Sequence, residues 1–450
     1  MTGQSDRPSG GLGGSSGSQG PAGRAWWRRR TSGLDGRYWR LWAAVASSNL
    51  GDGLVGLAFP WLASLLTRDP LLIAGVGLAT RLPWLLFSLQ AGVLGDRMDR
   101  RRLMVTANSV RAVVAGAVAV AVVVDAINLP VLYVAAFVLG MCEVAFDNTT
   151  QALVPALVAR ERLERANGNL MGAQMVIAEF VARPLSGALV GVALSLPFAI
   201  DAVTAGASAA LVATIPGTFR GAPARPGAGQ APRPPMRAQI AEGLRWLWGH
   251  RLLRTLALAL AVMNGTSAAV MATYVLFAQE ILRLDGLGFG LLLAAGSVGA
   301  LLGSVVGPNV AARLRPGPTL LLAIVVPIAS LAITAVTSSA VVVAVGFSTF
   351  GFTAIMWNVV TVSLRQAMIP DAILGRVNSV YRFLGWGAMP IGTLAGGALV
   401  SVVEQAVSRP VGLRAPFAAG AVIHLLLLAA VGTRLTTRAV DEAKAAAGRG

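Results

Sequence analysis

The sequence predicts an all-α integral membrane protein with 12 transmembrane helices in two pseudo-symmetric six-helix bundles. Composition is the first observation: 55% of the 450 residues are hydrophobic and 13% are charged, whereas about a quarter of the residues of a soluble domain are charged. The second observation is a series of apolar runs, because a run of about 20 residues is long enough to cross a bilayer. The third is a repeat between the two halves of the chain.

Twelve apolar runs follow one another along the chain. An N-terminal six-helix bundle is predicted over residues 41–216, from runs at about 41–66, 71–94, 103–125, 130–153, 168–192 and 197–216. A C-terminal six-helix bundle is predicted over residues 254–433, from runs at about 254–280, 286–311, 317–336, 338–363, 376–402 and 413–433.

Polar segments flank and join these bundles. Residues 1–40 form a predicted basic cytoplasmic tail that begins with a Gly-, Ser- and Pro-rich stretch typical of disorder. Its Trp-Trp-Arg-Arg-Arg run at 26–30 is typical of an interfacial anchor. Residues 217–253 form a predicted cytoplasmic linker that ends in a short interfacial helix, and residues 434–450 form a cytoplasmic tail.

Arginine placement predicts the orientation. The loops after spans 2, 4, 6, 8 and 10 and both termini carry most of the arginines, which indicates that both termini lie in the cytoplasm. The net charge of +17 therefore arises from loops between apolar spans, so we expect a lipid bilayer and no nucleic acid as partner. The near-exclusive use of arginine over lysine is typical of a GC-rich bacterial genome, and this predicts the inner (cytoplasmic) membrane.

The two halves share three landmarks in the same order. Such a parallel repeat of six spans predicts two bundles related about the membrane normal. The landmarks are Gln-Ala-Leu-Val-Pro at 151–155 and Gln-Ala-Met-Ile-Pro at 366–370, Arg-x-Asn at 165–167 and 376–378, and Gly-Ala-Leu-Val at 187–190 and 397–400.

Catalytic and cofactor motifs are missing from the sequence. The single cysteine, Cys142, excludes a disulfide framework, and His250 and His424 are too far apart in sequence to suggest a metal site. The only lysine is Lys444, so the chain has no Walker loop for a nucleotide. We therefore expect no enzyme activity, no metal and no cofactor, and transport would draw on an ion gradient or on the gradient of the substrate.

A basic segment at residues 92–102 separates the second and third spans. Its order of residues resembles the loop between helices 2 and 3 of the major facilitator superfamily, with Asp99 at a position where that superfamily usually has glycine. The resemblance implies a latch that holds the cytoplasmic ends of the two bundles together, and Asp147 near the end of span 4 is placed to join it. Alternatively, the arginines only anchor the loop in the cytoplasm. The latch residues are Gly92, Asp96, Arg97, Arg100, Arg101 and Asp147.

Four further stretches resemble one branch of this superfamily, the enterobactin-exporter-like and macrolide-efflux-like permeases grouped as drug:proton antiporters. The resemblance implies proton-coupled export of a small compound. One stretch departs from the antiporter pattern: at 182–187 Arg183 replaces a glycine, while Pro184 and Gly187 are kept. The four stretches are 48–53, 81–84 leading into 96–101, 163–167 and 375–381.

Ionisable residues within the spans are candidates for proton coupling, because a charge near the middle of the bilayer is costly unless it is paired or hydrated. Asp52 lies about 18 Å into span 1 at 1.5 Å per residue, and the glycines on either side of it permit close helix approach. Either Asp52 binds protons, or it is a packing carboxylate bonded to neighbouring hydroxyls. Arg81 is the expected counter-charge for Asp52 or for Glu143 in span 4.

Further charges within the spans are interpreted from their positions. Glu179 and Arg183 are four residues apart and share a helix face, so they either neutralise each other or separate during transport. Arg111 and Arg382 are predicted to extend towards the cytoplasmic side or to join the latch. Asp201 is predicted to cap the sixth helix.

The second half offers polar and aromatic groups in place of acids. Aromatic walls with a few polar groups suit an amphiphilic organic substrate, although each aromatic side chain could equally be a packing residue. The candidates for the substrate cavity are Asn49 in the first half and Asn264, Tyr274, Gln279, Trp357, Asn358, Tyr381 and Trp386 in the second.

These observations together predict a secondary transporter that exports a small amphiphilic compound, such as a drug, secondary metabolite or siderophore, in exchange for protons by alternating access. An importer or an uncoupled facilitator of a small organic solute fits the same residues, as does a non-transporting membrane sensor or scaffold. We expect a monomer.

Overall fold

A computed structural model describes residues 34–219 and 236–447, without the side chains of residues 88–97, 236, 237, 239, 371, 372 and 443–447. Within these residues 12 helices are long and apolar enough to cross a membrane, which confirms the predicted fold class. The predicted disordered stretch, the anchor at 26–30 and most of the Pro- and Gly-rich linker lie outside the described residues.

We number the membrane-length helices α1 to α12 in chain order. In the first half they are α1 Gly36–Leu66, α2 Pro70–Arg97, α3 Arg100–Val123, α4 Leu129–Leu157, α5 ending at Val192, and α6 Leu196–Ala213. In the second half they are α7 Arg251–Ala272, α8 Gly286–Leu314, α9 Pro316–Val336, α10 Ala340–Met368, α11 Asp371–Ala406 and α12 Arg409–Val431. A linker helix, Met236–Gly249, precedes α7, and a C-terminal helix, Thr437–Ala447, follows α12.

Helix α5 is a composite of three parts. It begins as the α-helix Leu163–Gln174, continues as the π-helix Met175–Ala182 and ends as the α-helix Arg183–Val192. Pro184 follows the π-helical part, and a proline inside a helix removes one hydrogen bond and crowds the carbonyl four residues earlier. The wider turn relieves this crowding. After α7, a short helix, Tyr274–Leu276, likewise continues as a π-helical turn, Phe277–Ile281.

Short polar side chains fix the starts of several helices by accepting a hydrogen bond from an otherwise free backbone amide. Asp99 accepts from the amide of Arg102 at the start of α3, and Asn128 accepts from Val131 at the start of α4. The helices run beyond the apolar runs that predict them, as α11 does over 36 residues, because helix ends outside the hydrocarbon can be capped or hydrated.

The same pairs of helices pack together in each half. In the first half α1 packs against α5 and α6, α2 against α4, and α3 against α4 and α6. In the second half α7 packs against α11 and α12, α8 against α10, and α9 against α10 and α12. Adding six to each helix number of the first set gives the second set, as the sequence repeat predicts.

The halves meet along two helix pairs, α2 with α11 and α5 with α8. Glycines allow the close approach: a Cβ atom on Gly397 of α11 would lie 2.7 Å from Cβ of Ala74 on α2, and one on Gly290 of α8 would lie 2.7 Å from the carbonyl oxygen of Arg183 on α5. Both contacts lie towards the loops that follow odd-numbered helices. We call this end of the molecule the odd-loop face and the opposite end the even-loop face.

Candidate functional site

A buried guanidinium joins three helices in the middle of the first half. Arg111 of α3 donates from Nε and Nη2 to Oδ1 of Asp201 on α6, at 2.9 and 2.5 Å, and from Nη1 to Oδ1 of Asp52 on α1. Ser48 of α1 also lies 3.5 Å from Nη1. The side chains of Arg111 and Asp201 are 4% and 0% exposed, whereas that of Asp52 is 25% exposed. Asp52 is therefore the accessible member of the group.

The glycines beside Asp52 allow this arrangement. A Cβ on Gly51 would lie 3.0 Å from Nη2 of Arg111 and would overlap Asp201. A Cβ on Gly53 would lie 2.5 Å from Cβ of Ala182 in the π-helical part of α5. Both glycines therefore serve close helix approach, one towards the charges and the other towards α5.

Two predictions about this group are wrong. Arg111 points inward to Asp52 and Asp201 and does not extend towards a membrane surface, because two carboxylates compensate its charge there. Asp201 does not cap α6, since the cap position is Ser195 and the Asp201 side chain is buried against Arg111. Arg111 is thus the partner of Asp52, and Arg81 lies within electrostatic range of its alternative partner, Glu143. A sequence gives no distance between spans, so it could not select between the two arginines.

Helix α4 adds two acids one turn apart. Glu143 lies within electrostatic range of Asp52, Asp147, Arg111 and Arg81. Asp147 lies within electrostatic range of Asp52 and Arg111, so the structure places it with this buried group. Its predicted participation in a latch gains no support from this position.

Helix α5 contributes an ion pair that reaches the second half. Glu179 and Arg183 form the salt bridge that their spacing predicts. Oε2 of Glu179 also accepts a hydrogen bond of 2.5 Å from Oγ of Ser297 on α8. Arg81 lies within electrostatic range of Arg183 as well as of Glu143, which places its side chain at the inner side of the first half.

Among the described residues, the buried and inward-facing charged groups of the first half comprise five carboxylates and three guanidiniums, an excess of two negative charges when all are ionised. The carboxylates belong to Asp52, Asp201, Glu143, Asp147 and Glu179, and the guanidiniums to Arg81, Arg111 and Arg183. Such a group can take up protons or a cation.

The predicted latch is only partly described. Gly92, Asp96 and Arg97 belong to the segment 88–97, whose side chains lie outside the described part of the structure. Arg100 donates to the carbonyl of Ala152 on α4, at 2.8 Å, and Arg101 donates to the carbonyl of Ile215 after α6, at 2.9 Å. Both contacts lie within the first half, so they stabilise that bundle. The latch stays a prediction.

The predicted cavity residues fall into three groups. Trp357 and Tyr381 are 1% exposed and belong to the packed core of the second half, and Tyr274 is buried in an aromatic cluster with Phe277 and Phe417. These three pack in this conformation, because the large rings fill the space between helices.

The polar candidates lie elsewhere. Asn49 is buried, Asn264 donates to the carbonyl of Gly385 at 3.0 Å, and Asn358 is exposed. Gln279 donates to Ser64 at 2.8 Å and accepts from Arg68 at 2.6 Å, so it belongs to the contact between the halves. Trp386, by contrast, is 48% exposed.

An ion-pair network holds the halves together at the odd-loop face. Arg409 at the start of α12 binds Glu280 at 2.8 and 2.9 Å and Glu404 at 2.7 Å. It also donates to the carbonyl of Arg68, which follows α1, at 2.9 Å. The sequence suggests no role for Arg409, since a single arginine in a loop between helices is common.

Comparison with known proteins adds a family. A family model described as transmembrane secretion effector matches residues 35–449. The multidrug efflux pump Tap of Mycolicibacterium fortuitum is 28% identical over 397 residues, which cover 85% of this chain and 92% of that protein. The enterobactin exporter EntS of Shigella boydii is 25% identical over 368 residues, which cover 80% of this chain and 85% of that protein.

Solved transporters share the fold. A variant of the nucleoside transporter NupG superposes with a TM-score of 0.71 at 12% identity, covering 89% of this chain and 99% of that one. A bacterial homologue of the iron transporter ferroportin, in an inward-facing state, superposes with a TM-score of 0.64 at 19% identity, covering 87% of this chain and 98% of that one. At these identities the likeness extends to the fold alone.

Proposed function

Because the chain belongs to the transmembrane secretion effectors of the major facilitator superfamily, a family of transporters and not of enzymes, we propose that it exports a small amphiphilic compound in exchange for protons. The observation that carries the proposal is the charged group around Arg111, in which Asp52 is partly exposed. A carboxylate in the interior of a membrane protein marks an ion or substrate pathway.

Proton exchange follows from the charge balance. The inner side of the first half has two more carboxylates than guanidiniums, and protons that bind there remove the excess charge. Asp52 is the candidate for the exchanging group because its partner Arg111 is already bound to Asp201 through two nitrogens. Loss of the proton strengthens the bond between Asp52 and Arg111, and this bond draws α1 towards α3.

Alternating access requires contacts between the halves that form on one face at a time. The Arg409 network and the glycine contacts close the odd-loop face. We place both termini and the even loops in the cytoplasm, since these segments carry most of the arginines. In this orientation the conformation is closed to the outside of the inner membrane.

The names of the relatives support an organic substrate. One relative is a multidrug efflux pump and another is an enterobactin exporter. A compound that reaches such a pump through the membrane or the cytoplasm is small and amphiphilic, and the inner side of this protein offers it both charged and aromatic groups. We propose a monomer in the lipid bilayer as the transporting unit.

The experiment is substrate-stimulated proton flux in proteoliposomes with an acidic interior. A panel of cationic, neutral and anionic amphiphiles is added outside, and proton release is followed with a pH-sensitive dye. We expect one compound to enter as protons leave, and Asp52→Asn to lose this coupled flux at least tenfold because its side chain cannot exchange a proton. Asp35→Asn is the control, since asparagine keeps the cap on α1 and lies outside the charged group.

Other outcomes distinguish the alternatives. Transport that ignores the pH gradient and survives Asp52→Asn would establish a facilitator and return Asp52 to a packing role. Compound and protons that move in the same direction would establish an importer. A folded protein that moves none of the compounds would favour a sensor or scaffold.

A further inference from the structure

Two tryptophans face each other across the contact between α2 and α11. The ring centroids of Trp84 and Trp386 lie 6.3 Å apart, with the ring planes inclined by 57°. Trp386 is 48% exposed although it lies in the middle of α11. The pair therefore joins the two halves and leaves an aromatic surface uncovered.

An arginine accompanies each tryptophan one turn away. Arg81 precedes Trp84 by three residues on α2, and Arg382 precedes Trp386 by four residues on α11, with Cζ of Arg382 5.6 Å from the centre of the Trp386 ring. Helix α2 runs towards the even-loop face and α11 runs away from it. Arg81 therefore lies on the odd-loop side of the tryptophan pair, and Arg382 lies on the even-loop side.

These side chains face the interior of the molecule. On α11, Phe383, Ile391 and Val402 form an exposed apolar row, which suits lipid, while Gly392 packs against α7. At 100° per residue, the direction of Arg382 lies between that of Gly397, which packs against α2, and that of Gly392, which packs against α7. Arg382 therefore projects from the side of α11 opposite the apolar row.

On α2, Arg81 likewise faces the interior of the molecule. On α2 the exposed row consists of leucines, among them Leu71 and Leu85, whereas Arg81 is within electrostatic range of Glu143 on α4 and of Arg183 on α5. Two helices of the first half other than α2 thus lie near its guanidinium. Arg81 and Arg382 both border the space between the two halves.

Neither arginine has a close acidic partner. Both side chains are exposed, and among the described residues no carboxylate lies within 4.0 Å of either guanidinium. A third arginine, Arg365 of α10, lies within electrostatic range of Arg382 but is engaged by Asn378 and by the ring of Tyr381. A guanidinium that is held in no ion pair at this depth is costly and is a mark of function.

We propose that Arg81, Trp84, Trp386 and Arg382 form a binding site for the anionic aromatic part of the exported compound. A guanidinium presents a planar pair of N–H donors that matches a carboxylate, and the uncovered indole surface stacks against an aromatic ring. A cation is disfavoured beside Trp386, because the guanidinium of Arg382 lies against this ring and that of Arg365 lies within electrostatic range of Arg382. The inference rests on the proposed export function and names the substrate class: aromatic carboxylates and acidic phenols.

The site also suggests an order of contacts. A compound that enters from the even-loop face meets Arg382 first, then the tryptophan pair, and then Arg81.

The test is equilibrium binding of three naphthalene probes of equal shape to the full-length protein in nanodiscs, without a pH gradient. The probes are 1-naphthoate, neutral 1-naphthamide and cationic 1-naphthylmethylamine. We expect naphthoate to bind the wild type about tenfold more tightly than the amide, as one charge-assisted contact provides, and the amine to bind most weakly.

Substitutions separate charge from shape. Arg382→Gln is expected to lower naphthoate affinity about tenfold and to leave the affinity for the amide unchanged. Arg382→Lys should retain part of the naphthoate affinity, because lysine keeps the positive charge but lacks the planar pair of N–H donors. Trp386→Leu should weaken both probes. Arg438→Gln, in the exposed C-terminal helix, is the matched control and should bind like the wild type.

Three results would overturn the site: tighter binding of the amine than of naphthoate, unchanged naphthoate affinity in Arg382→Gln, or no naphthoate binding to folded wild-type protein. The outcome is distinct from that of the flux experiment. Lost binding with intact proton-coupled flux would remove this site and leave export standing, whereas specific naphthoate binding without coupled flux would do the reverse.

Discussion

At the scale of single residues, the charged group of the first half depends on a glycine, which has no side chain. Gly51 lies directly beside Asp52, and the space where its Cβ would stand is occupied by Asp201, Thr204 and Arg111. The guanidinium can bridge α1 and α6 only because α1 presents bare backbone there. Charge compensation and helix packing therefore share one position.

Gly51→Ala is expected to lower the free energy of unfolding by about 1–3 kcal/mol, the usual effect of overfilling a packed site. It should also reduce coupled transport, since Arg111 must move to make room. Thermal unfolding of the purified protein in detergent measures the first effect.

Gly56→Ala is the matched control on the same helix. A Cβ on Gly56 would meet no atom within 4 Å, so this variant should unfold at the temperature of the wild type or slightly above it. Equal melting temperatures for the two variants would contradict the packing argument for Gly51.

At the scale of elements, the start of α3 is fastened to the segment after α6. Asp99 caps α3 through the amide of Arg102 and accepts a second hydrogen bond of 2.9 Å from the amide of Phe219. The amide of Arg100 donates to the carbonyl of Phe219 in return, at 3.2 Å. This polar contact lies at the even-loop face, outside the membrane-spanning part of α3.

The pH dependence of this contact follows from the Asp99 carboxyl. Burial by itself raises its pKa, but the hydrogen bonds from Phe219 and Arg102 and the charge of Arg101 together hold the pKa below its ordinary value. A carboxyl with a lowered pKa stabilises the folded state above the pKa of the unfolded chain, about 3.9, and loses this contribution as the pH falls through the folded pKa.

Asp99→Ala should therefore lower the free energy of unfolding by about 1 kcal/mol at neutral pH, as the loss of a helix cap does. The difference between wild type and Asp99→Ala should shrink below about pH 4. Asp99→Asn separates the two effects, because asparagine keeps the cap and does not titrate. Denaturation series at several pH values measure both, and a constant difference between wild type and Asp99→Ala down to pH 3 would contradict the argument.

The other informative element is α5, whose π-helical part contains Glu179, a residue with partners in both halves. The wide turn lies against Gly53 of α1 and precedes Pro184. Glu179 bonds to Arg183 on its own helix and to Ser297 across the contact between the halves. Helix α5 thus links the charged group of the first half to the second half.

At the scale of the whole molecule, the two contacts between the halves are related by the same repeat as the helices. Helices α2 and α8 are equivalent in the repeat, as are α5 and α11, so the α2–α11 contact is the counterpart of the α5–α8 contact. A change of access must alter both contacts together, because each half moves as a packed bundle.

A cross-link across one contact should stop this movement. Gly77→Cys combined with Thr393→Cys, in a Cys142→Ser background, places one cysteine on each helix where a Cβ on Gly77 would lie 3.7 Å from Cγ2 of Thr393, a separation that a disulfide can bridge. We expect oxidation to abolish transport and a reductant to restore it. Flux before and after reduction, together with thiol titration, measures the result.

Each single-cysteine variant in the same background is the control and should transport under both conditions. Full transport by the cross-linked protein would show that α2 and α11 stay together through the cycle, and alternating access would then have to operate elsewhere.

The sequence by itself determined the fold class, the 12 membrane-length helices and the pairing of Glu179 with Arg183, because these depend on local hydrophobicity and on spacing along one helix. It also marked Asp52 as a charge deep in a span. The partners of Asp52 depend on distances between helices, which no local pattern records.

Only the tertiary structure decided that Arg111 joins Asp52 to Asp201, that Trp357 and Tyr381 are packed, and that Gln279 belongs to the contact between the halves. The physical reason is common to all three. A side chain in a span can face lipid, a neighbouring helix or the interior, and a turn of 100° per residue shows which residues share a face but not what that face meets.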